Sequence, residues 1–222
     1  MIGQEENKMK KVTAILCSLL LVCLAAAAFA EVPVSNLYTP NISETFKALV
    51  GGKSFEASIA GIDVTGQDED SKFTLTITVY EQDRFDAAVI ENLAKGDILR
   101  FGNGTAAMVM EVTRDEFGAT VKDGSNDGYS FYRMEDGTYT ASTDTDYPLY
   151  TEVFTVRVPL EKDISFLDWS DPENLEEPVK LGYDELLAHL LDGTSFAPYN
   201  TKVTFDENGK LVEFLYNYSP WN

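Results

Sequence analysis

From Phe73 to Tyr80 the chain alternates strictly, with Phe73, Leu75, Ile77 and Val79 on one side and Thr74, Thr76, Thr78 and Tyr80 on the other. A period of two marks a strand with one buried and one solvated face, and β-branched threonine suits that pleated surface. Residues 54–62 repeat the pattern more weakly, so with a turn at 66–70 the two stretches predict a hairpin. The period then lengthens. Phe85, Ala88, Val89, Asn92 and Leu93 recur at helical spacing, which predicts a helix capped by Asp83 and closed by Lys95 and Gly96.

Further short strands are predicted at 97–101, 105–113, 117–121, 129–134, 138–142 and 150–160, separated by Gly-Asn-Gly and Asp-Gly turns. Strands this close leave no room for intervening helices, so they pair antiparallel as a sandwich or small barrel-like meander. An acidic, proline-flanked stretch at 169–178 reads as a surface loop and marks a sub-boundary near 169–180. Beyond it Tyr183, Leu186, Leu187, Leu190 and Leu191 predict a helix with its stripe on the sheet and Gly193 at its end. Residues 201–205 and 211–218 close the chain as a hairpin around Asn208-Gly209. Near the start, Ser43 caps a short predicted helix at 44–49 that Gly51-Gly52 terminates. The fold class is therefore α+β, mostly antiparallel β, with two or three short helices and no internal repeat.

The first thirty residues read as a signal peptide: Lys10 and Lys11, an apolar run from Val12 to Phe29, and an Ala28-Phe29-Ala30 cleavage site. Glu5 and Glu6 make the first eight residues an unusual start, and translation from Met9 gives a conventional one. Residues 31–52 then form a tether and short helix, and 53–222 one β-rich domain, long enough for a sizeable core. Cys17 and Cys23 both fall in the leader, so the mature chain has no disulfide, thiol nucleophile or thiolate ligand. Cys23 lacks the small residue expected before a lipidated cysteine. The predicted location is secreted or cell envelope, with no membrane insertion of the mature chain.

The formal net charge is −20, from 37 acidic against 17 basic residues, and removing the leader makes it one unit more negative. Such a field repels phosphate backbones and anionic lipid, which excludes nucleic acid as a partner. His189 is the single histidine, and helical register puts it with Glu185 and Asp192 on a polar face, which argues against a Ser-His-Asp site and a multi-histidine zinc site. Gly193-Thr194-Ser195-Phe196-Ala197 breaks the nucleophile-elbow pattern, and no dinucleotide or P-loop fingerprint occurs. Asp123, Ser125 and Asp127 occupy the first, third and fifth positions of a calcium loop with Gly128 at the sixth, but Met134 stands where the bidentate glutamate belongs. A glycine-rich β-turn accounts for the same residues.

Aromatic side chains make up 12% of the chain and crowd its strands. Phe131 and Tyr132 are adjacent and must face opposite ways, so one of them leaves the core. Tyr129, Phe131, Tyr132, Tyr139 and Trp221 are accordingly the candidate ligand-binding residues, for a glycan or protein partner, against the alternative of cross-strand core pairs. The chain resembles uncharacterised secreted or cell-envelope proteins of anaerobic gut bacteria. The resemblance lies in the run from Asp86 to Leu93 followed by Lys95-Gly96-Asp97-Ile98, in Asp136-Gly137-Thr138-Tyr139, and in the ending from Tyr199 to Trp221. It implies export and a β-rich fold and brings no activity with it. The expected function is a non-catalytic extracellular binding module; the alternatives are a carboxylate-based glycan hydrolase and a calcium-stabilised module.

Overall fold

The computed structural model describes residues 37–38, 50–66, 71–124, 128–173 and 176–220. The predicted leader and the helix at 44–49 lie outside these residues. The alternating stretch is strand β3 (Lys72–Gln82), paired antiparallel with β2 (Ser54–Thr65), and the mostly antiparallel α+β class predicted from the pattern is the fold observed. Fifteen strands, numbered in chain order from β1 (Leu37–Tyr38), and two helices among the described residues build three sheets.

A seven-stranded sheet carries the first core. Its order is β11-β3-β2-β14-β15-β12-β13, where β11 is Tyr150–Pro159, β12 Ser165–Trp169, β13 Val179–Leu181, β14 Thr201–Phe205 and β15 Leu211–Asn217. Phe55, Leu75, Ile77, Val203, Phe205 and Phe214 face one side of it and are essentially fully buried. Helix α2 (Tyr183–Asp192) covers that side with Tyr183 and Leu186. Strands β12 and β15 run parallel, an arrangement the antiparallel meander did not anticipate; the crossover between them contains α2 and β14. Residues 169–178 are not a division between cores. They connect β12 to β13, which pair as neighbours in the same sheet.

The second core is built from the segment between β3 and β11. Strands β4 (Arg84–Phe85), β7 (Glu111–Arg114), β8 (Gly118–Lys122), β9 (Gly128–Arg133) and β10 (Tyr139–Thr143) form a five-stranded sheet; β5 (Ile98–Arg100) and β6 (Ala106–Met108) join β1 in a small one. Phe85, Leu99, Phe101, Val121 and Phe131 fill the space between, with Ile90 of helix α1 (Ala87–Asn92). The stretch 105–113, predicted as one strand, changes sheets at Val109: Gly96 donates to its carbonyl and Met110 donates to Lys122.

The helix near residue 85 is shorter than its periodicity predicts. Phe85 is a strand residue paired with Tyr139, and Asp86 occupies the N-cap position without capping the helix through its side chain. Asp83 is not a cap. It lies at the joint between β3 and β4, only 1% exposed, and accepts from the Gly102 amide at 2.7 Å and the Thr151 hydroxyl at 2.6 Å. Its own amide donates to the Leu149 carbonyl. At the other end of α1, Arg114 donates to the carbonyls of Ile90 and Leu93, satisfying the helix end that the sequence pattern assigns to Lys95.

Candidate functional site

Helix α2 is closed at both ends by polar contacts that also fix the loop running from it into β14. The Gly182 amide donates to Glu185 Oε2 at 3.1 Å, and Gly193 terminates the helix in the left-handed region at φ 89°. Asp192 Oδ1 then accepts both the Thr194 amide (2.9 Å) and the Thr194 hydroxyl (2.6 Å), and these bonds hold the Asp192 carboxyl below its usual range. Asn200, fully buried, braces the same loop: its Oδ1 accepts from the Ala197 amide and its Nδ2 donates to the Ser195 carbonyl. Phe196 consequently packs edge-on to Phe214 and Tyr216.

His189 belongs to this assembly and not to a polar face. Its ring sits 5.5 Å from Phe166 and 6.3 Å from Tyr216, with the side chain 31% exposed. The helical register explains the difference. At about 100° per residue, His189 lies roughly 60° from Leu186, whereas Leu191 lies about 140° away. The buried face is centred on Leu186, so it takes in His189 and leaves Leu191 59% exposed.

The ring's two nitrogens have distinct surroundings. Nδ1 is 3.2 Å from Thr194 Oγ1, whose only proton already goes to Asp192. Thr194 must therefore accept, so Nδ1 carries a proton. Nε2 is 4.0 Å from Asp168 Oδ2, beyond hydrogen-bond reach, while Asp168 Oδ1 accepts the Ser170 amide at 2.8 Å. A cleft of ≈ 440 Å³ opens here, lined by His189, Thr194, Ser170 and the terminal residues Tyr216, Tyr218, Ser219 and Pro220. Tyr218, 47% exposed, is held at its backbone by donation to the Trp169 carbonyl.

The sense of these hydrogen bonds differs from that of a nucleophile–base pair. In a nucleophile–base pair the hydroxyl gives its proton to histidine; here the proton runs from Nδ1 to Thr194 and from Thr194 to Asp192, the reverse sense. The two carboxyls that burial pushes upward are committed elsewhere. Asp83 ties the cores together, and Glu56 pairs across strands with Lys202, Nζ to Oε1 at 3.4 Å, on the face of the large sheet opposite the first core. Around Glu56 stand Tyr80, whose oxygen accepts from Ser58 at 3.2 Å, and Tyr150, packed edge-on to Tyr80 at 6.5 Å. Burial chiefly, and the nearby Glu56 carboxylate secondarily, raise the Tyr150 phenol.

These shifts set a pH dependence. Glu56 and Asp83 have folded values above their ordinary 4.5 and 3.8, so their stabilising share is fully present below those values and is lost as pH rises through the folded ones. Asp136, Asp163 and Asp192, which are exposed, and the half-buried Asp206 are hydrogen-bonded, are shifted down and act oppositely, weakening the fold as pH falls below about 4. Relief of mutual repulsion on a chain of net charge −20 adds to the first trend. Tm is expected to rise by roughly 3 °C from pH 8 to pH 5 and to fall below pH 4, with Glu56→Gln flattening the alkaline limb. A Tm that climbs steadily from pH 5 to pH 8 in a calorimetric series contradicts the assignment.

The residues singled out from the aromatic pattern do not come together at this cleft. Tyr129 stacks on Phe101 at 4.4 Å, and Phe131 and Tyr139 are 1% and 6% exposed in the second core. Tyr132 faces outward, opposite Phe131 as the alternation requires, and its hydroxyl donates to Asp146 at 2.8 Å. Trp221 follows the cleft residue Pro220 in sequence and lies outside the described residues. Asp123 is half-buried after β8, and the other two calcium candidates, Ser125 and Asp127, lie outside the described residues. The signal in the sequence that points to the cleft is the Asp-Gly-Thr ending of α2, three residues beyond the single histidine. Comparison of the chain with family models, with curated proteins and with solved structures gives no match.

Proposed function

We propose that this chain is an exported, non-catalytic binding module whose ligand occupies the cleft between the end of α2 and the β12 and β15 strands. The observation that supports the reading most directly is the held histidine. One nitrogen is held by Thr194, the other stands 4.0 Å from the Asp168 carboxylate, and the exposed Tyr218 lines the same cleft as His189. Aromatic bodies with a few fixed polar groups are the usual composition of small-ligand sites. The strong acidity, and cysteines confined to the predicted leader, suit an extracellular setting.

Thermal shift of the purified protein against glycans, amines, peptides, calcium and EDTA tests this. A ligand at 100 times its Kd stabilises the native state by about 2.7 kcal/mol, a shift of several degrees. The reading requires that shift to vanish in Tyr218→Ala and in His189→Ala while both variants stay folded. A ligand whose effect survives both changes places the site elsewhere, and a response to calcium alone favours the turn at Asp123.

A further inference from the structure

We propose that a cavity at the start of α2 binds a carboxylate carried on an apolar body, its charge taken by Lys72 and Lys162. This is a second site, independent of the cleft at the other end of the helix. The cavity holds ≈ 570 Å³, and Phe73, Pro159, Leu160 and Tyr183 give it an apolar lining. Sheet geometry brings these residues together. The Leu160 amide donates to the Phe73 carbonyl at 2.9 Å, so the chain leaving β11 stays beside the start of β3, and both side chains pack with the first core. Tyr183, the first residue of α2, is buried in the same core. Lys162 Nζ stands 4.2 Å from the centre of the Tyr183 ring, which places that ammonium at the cavity wall; its N–H groups directed away from the ring remain donors. Lys72, on β3, lines the same cavity.

The charges favour an anion here. Arg84, Lys122, Arg157, Lys202 and Lys210 each pair with a carboxylate. Among the described residues neither Lys72 nor Lys162 has such a partner, although the chain carries 37 acidic residues. Glu161, the one carboxylate lining the cavity, is exposed and acts on the Lys210 ammonium. The net charge of −20 opposes an anion at long range, but salt screens it beyond about 8 Å under physiological conditions, so contacts at the cavity decide. A carboxylate has two oxygens, one for each ammonium, and such charge-assisted bonds are the strong ones. An inorganic anion satisfies the lysines and leaves the apolar lining wet. A neutral apolar molecule covers the lining and gains nothing from the lysines, while a cation is repelled by both. The volume lies within the range of about 300–1,000 Å³ usual for small-ligand sites.

The test titrates the full protein to about 20 mM with phenylpropanoate, its neutral amide, acetate, sulfate and N-acetylphenylalanine, read by saturation-transfer NMR and calorimetry. Phenylpropanoate should saturate with a Kd of about 1 mM or below. The amide, acetate and sulfate should each bind at least about fivefold more weakly, since each lacks either the charge or the apolar body. Lys72→Gln and Lys162→Gln, both at exposed positions, should each weaken phenylpropanoate by about fivefold or more, and so should raising the salt to about 0.5 M. Lys95→Gln makes the same charge change at an exposed position after α1 and should alter the affinity by less than about twofold. N-acetylphenylalanine binding more tightly than phenylpropanoate identifies a peptide C-terminus as the source of the carboxylate; the reverse order identifies a free acid. An amide that binds as tightly as the acid overturns the proposal, as does an equal loss in Lys95→Gln and Lys162→Gln. Binding that disappears in His189→Ala and persists in Lys162→Gln puts the acid in the other cleft and overturns this site. A wild-type protein that phenylpropanoate does not saturate overturns it outright.

Discussion

Asp83→Ala is expected to lower the free energy of unfolding by about 3 kcal/mol, and Gly102→Ala by at least as much. The carboxylate lies where the chain passes from the large sheet at Gln82 into the second core at Arg84, and its two oxygens take the Gly102 amide and the Thr151 hydroxyl. One side chain thus joins the end of β3 and its neighbour β11 in the large sheet to the turn after β5, a strand of the small three-stranded sheet. Truncation strands two buried donors, each worth about 1–3 kcal/mol when unpaired. Burial opposes the charge and raises its pKa, yet the hydrogen bonds depend on the oxygens, so relieving the burial does not compensate for their loss. Asp83→Asn should fall in between, since its amide oxygen keeps one donor while its NH2 meets the other. Gly102 reaches the same strut from the opposite side, because a Cβ there collides with the Thr151 side chain and comes within 2.7 Å of Asp83 Oδ1. Urea titration with unchanged slope is the measurement. Loss of less than about 0.5 kcal/mol in Asp83→Ala means that the carboxylate does not tie the cores.

Much of this architecture was legible because strand alternation is local. The Thr and apolar positions from Phe73 to Tyr80 define a strand face without knowledge of any partner, and Asn208-Gly209 defines a hairpin. What was illegible depended on distant residues. Nothing near Asp83 announces that Gly102 and Thr151 will claim its oxygens, and an aspartate before an amphipathic stretch is read as a cap by default. Nor does composition distinguish Phe131, Tyr129 and Tyr139, which fill a core, from Tyr218, which borders a cleft. The same limit applies to β12 and β15: their parallel pairing joins strands separated by more than forty residues and leaves no short-range turn to detect. Chemistry at the candidate site was hidden for a smaller reason, a rotation of the α2 stripe by less than one residue's angular step.

That rotation supplies the second large effect. Leu186→Ala should destabilise the protein by about 3 kcal/mol and lower Tm by roughly 10 °C, whereas Leu191→Ala should change either by little. Leu186 is completely buried at the centre of the face that α2 lays on the first core; Leu191, at the next-to-last helical position, is 59% exposed. A stripe centred where the sequence pattern put it, including Leu191, would make the two substitutions comparable. The observed centring makes them differ by several-fold, so comparing the two unfolding midpoints discriminates between the registers. The consequence reaches the cleft as well. His189 is three residues from Leu186 on the same face, and its contact with Thr194 requires the last turn of α2 to stay seated. Loosening Leu186 should therefore broaden the single imidazole signal and weaken ligand binding at temperatures where the rest of the protein is still folded, because local opening of a docked helix precedes global unfolding. An imidazole spectrum and binding curve unaffected by Leu186→Ala would show that the loop braced by Asn200, and not the helix, sets the geometry of the site.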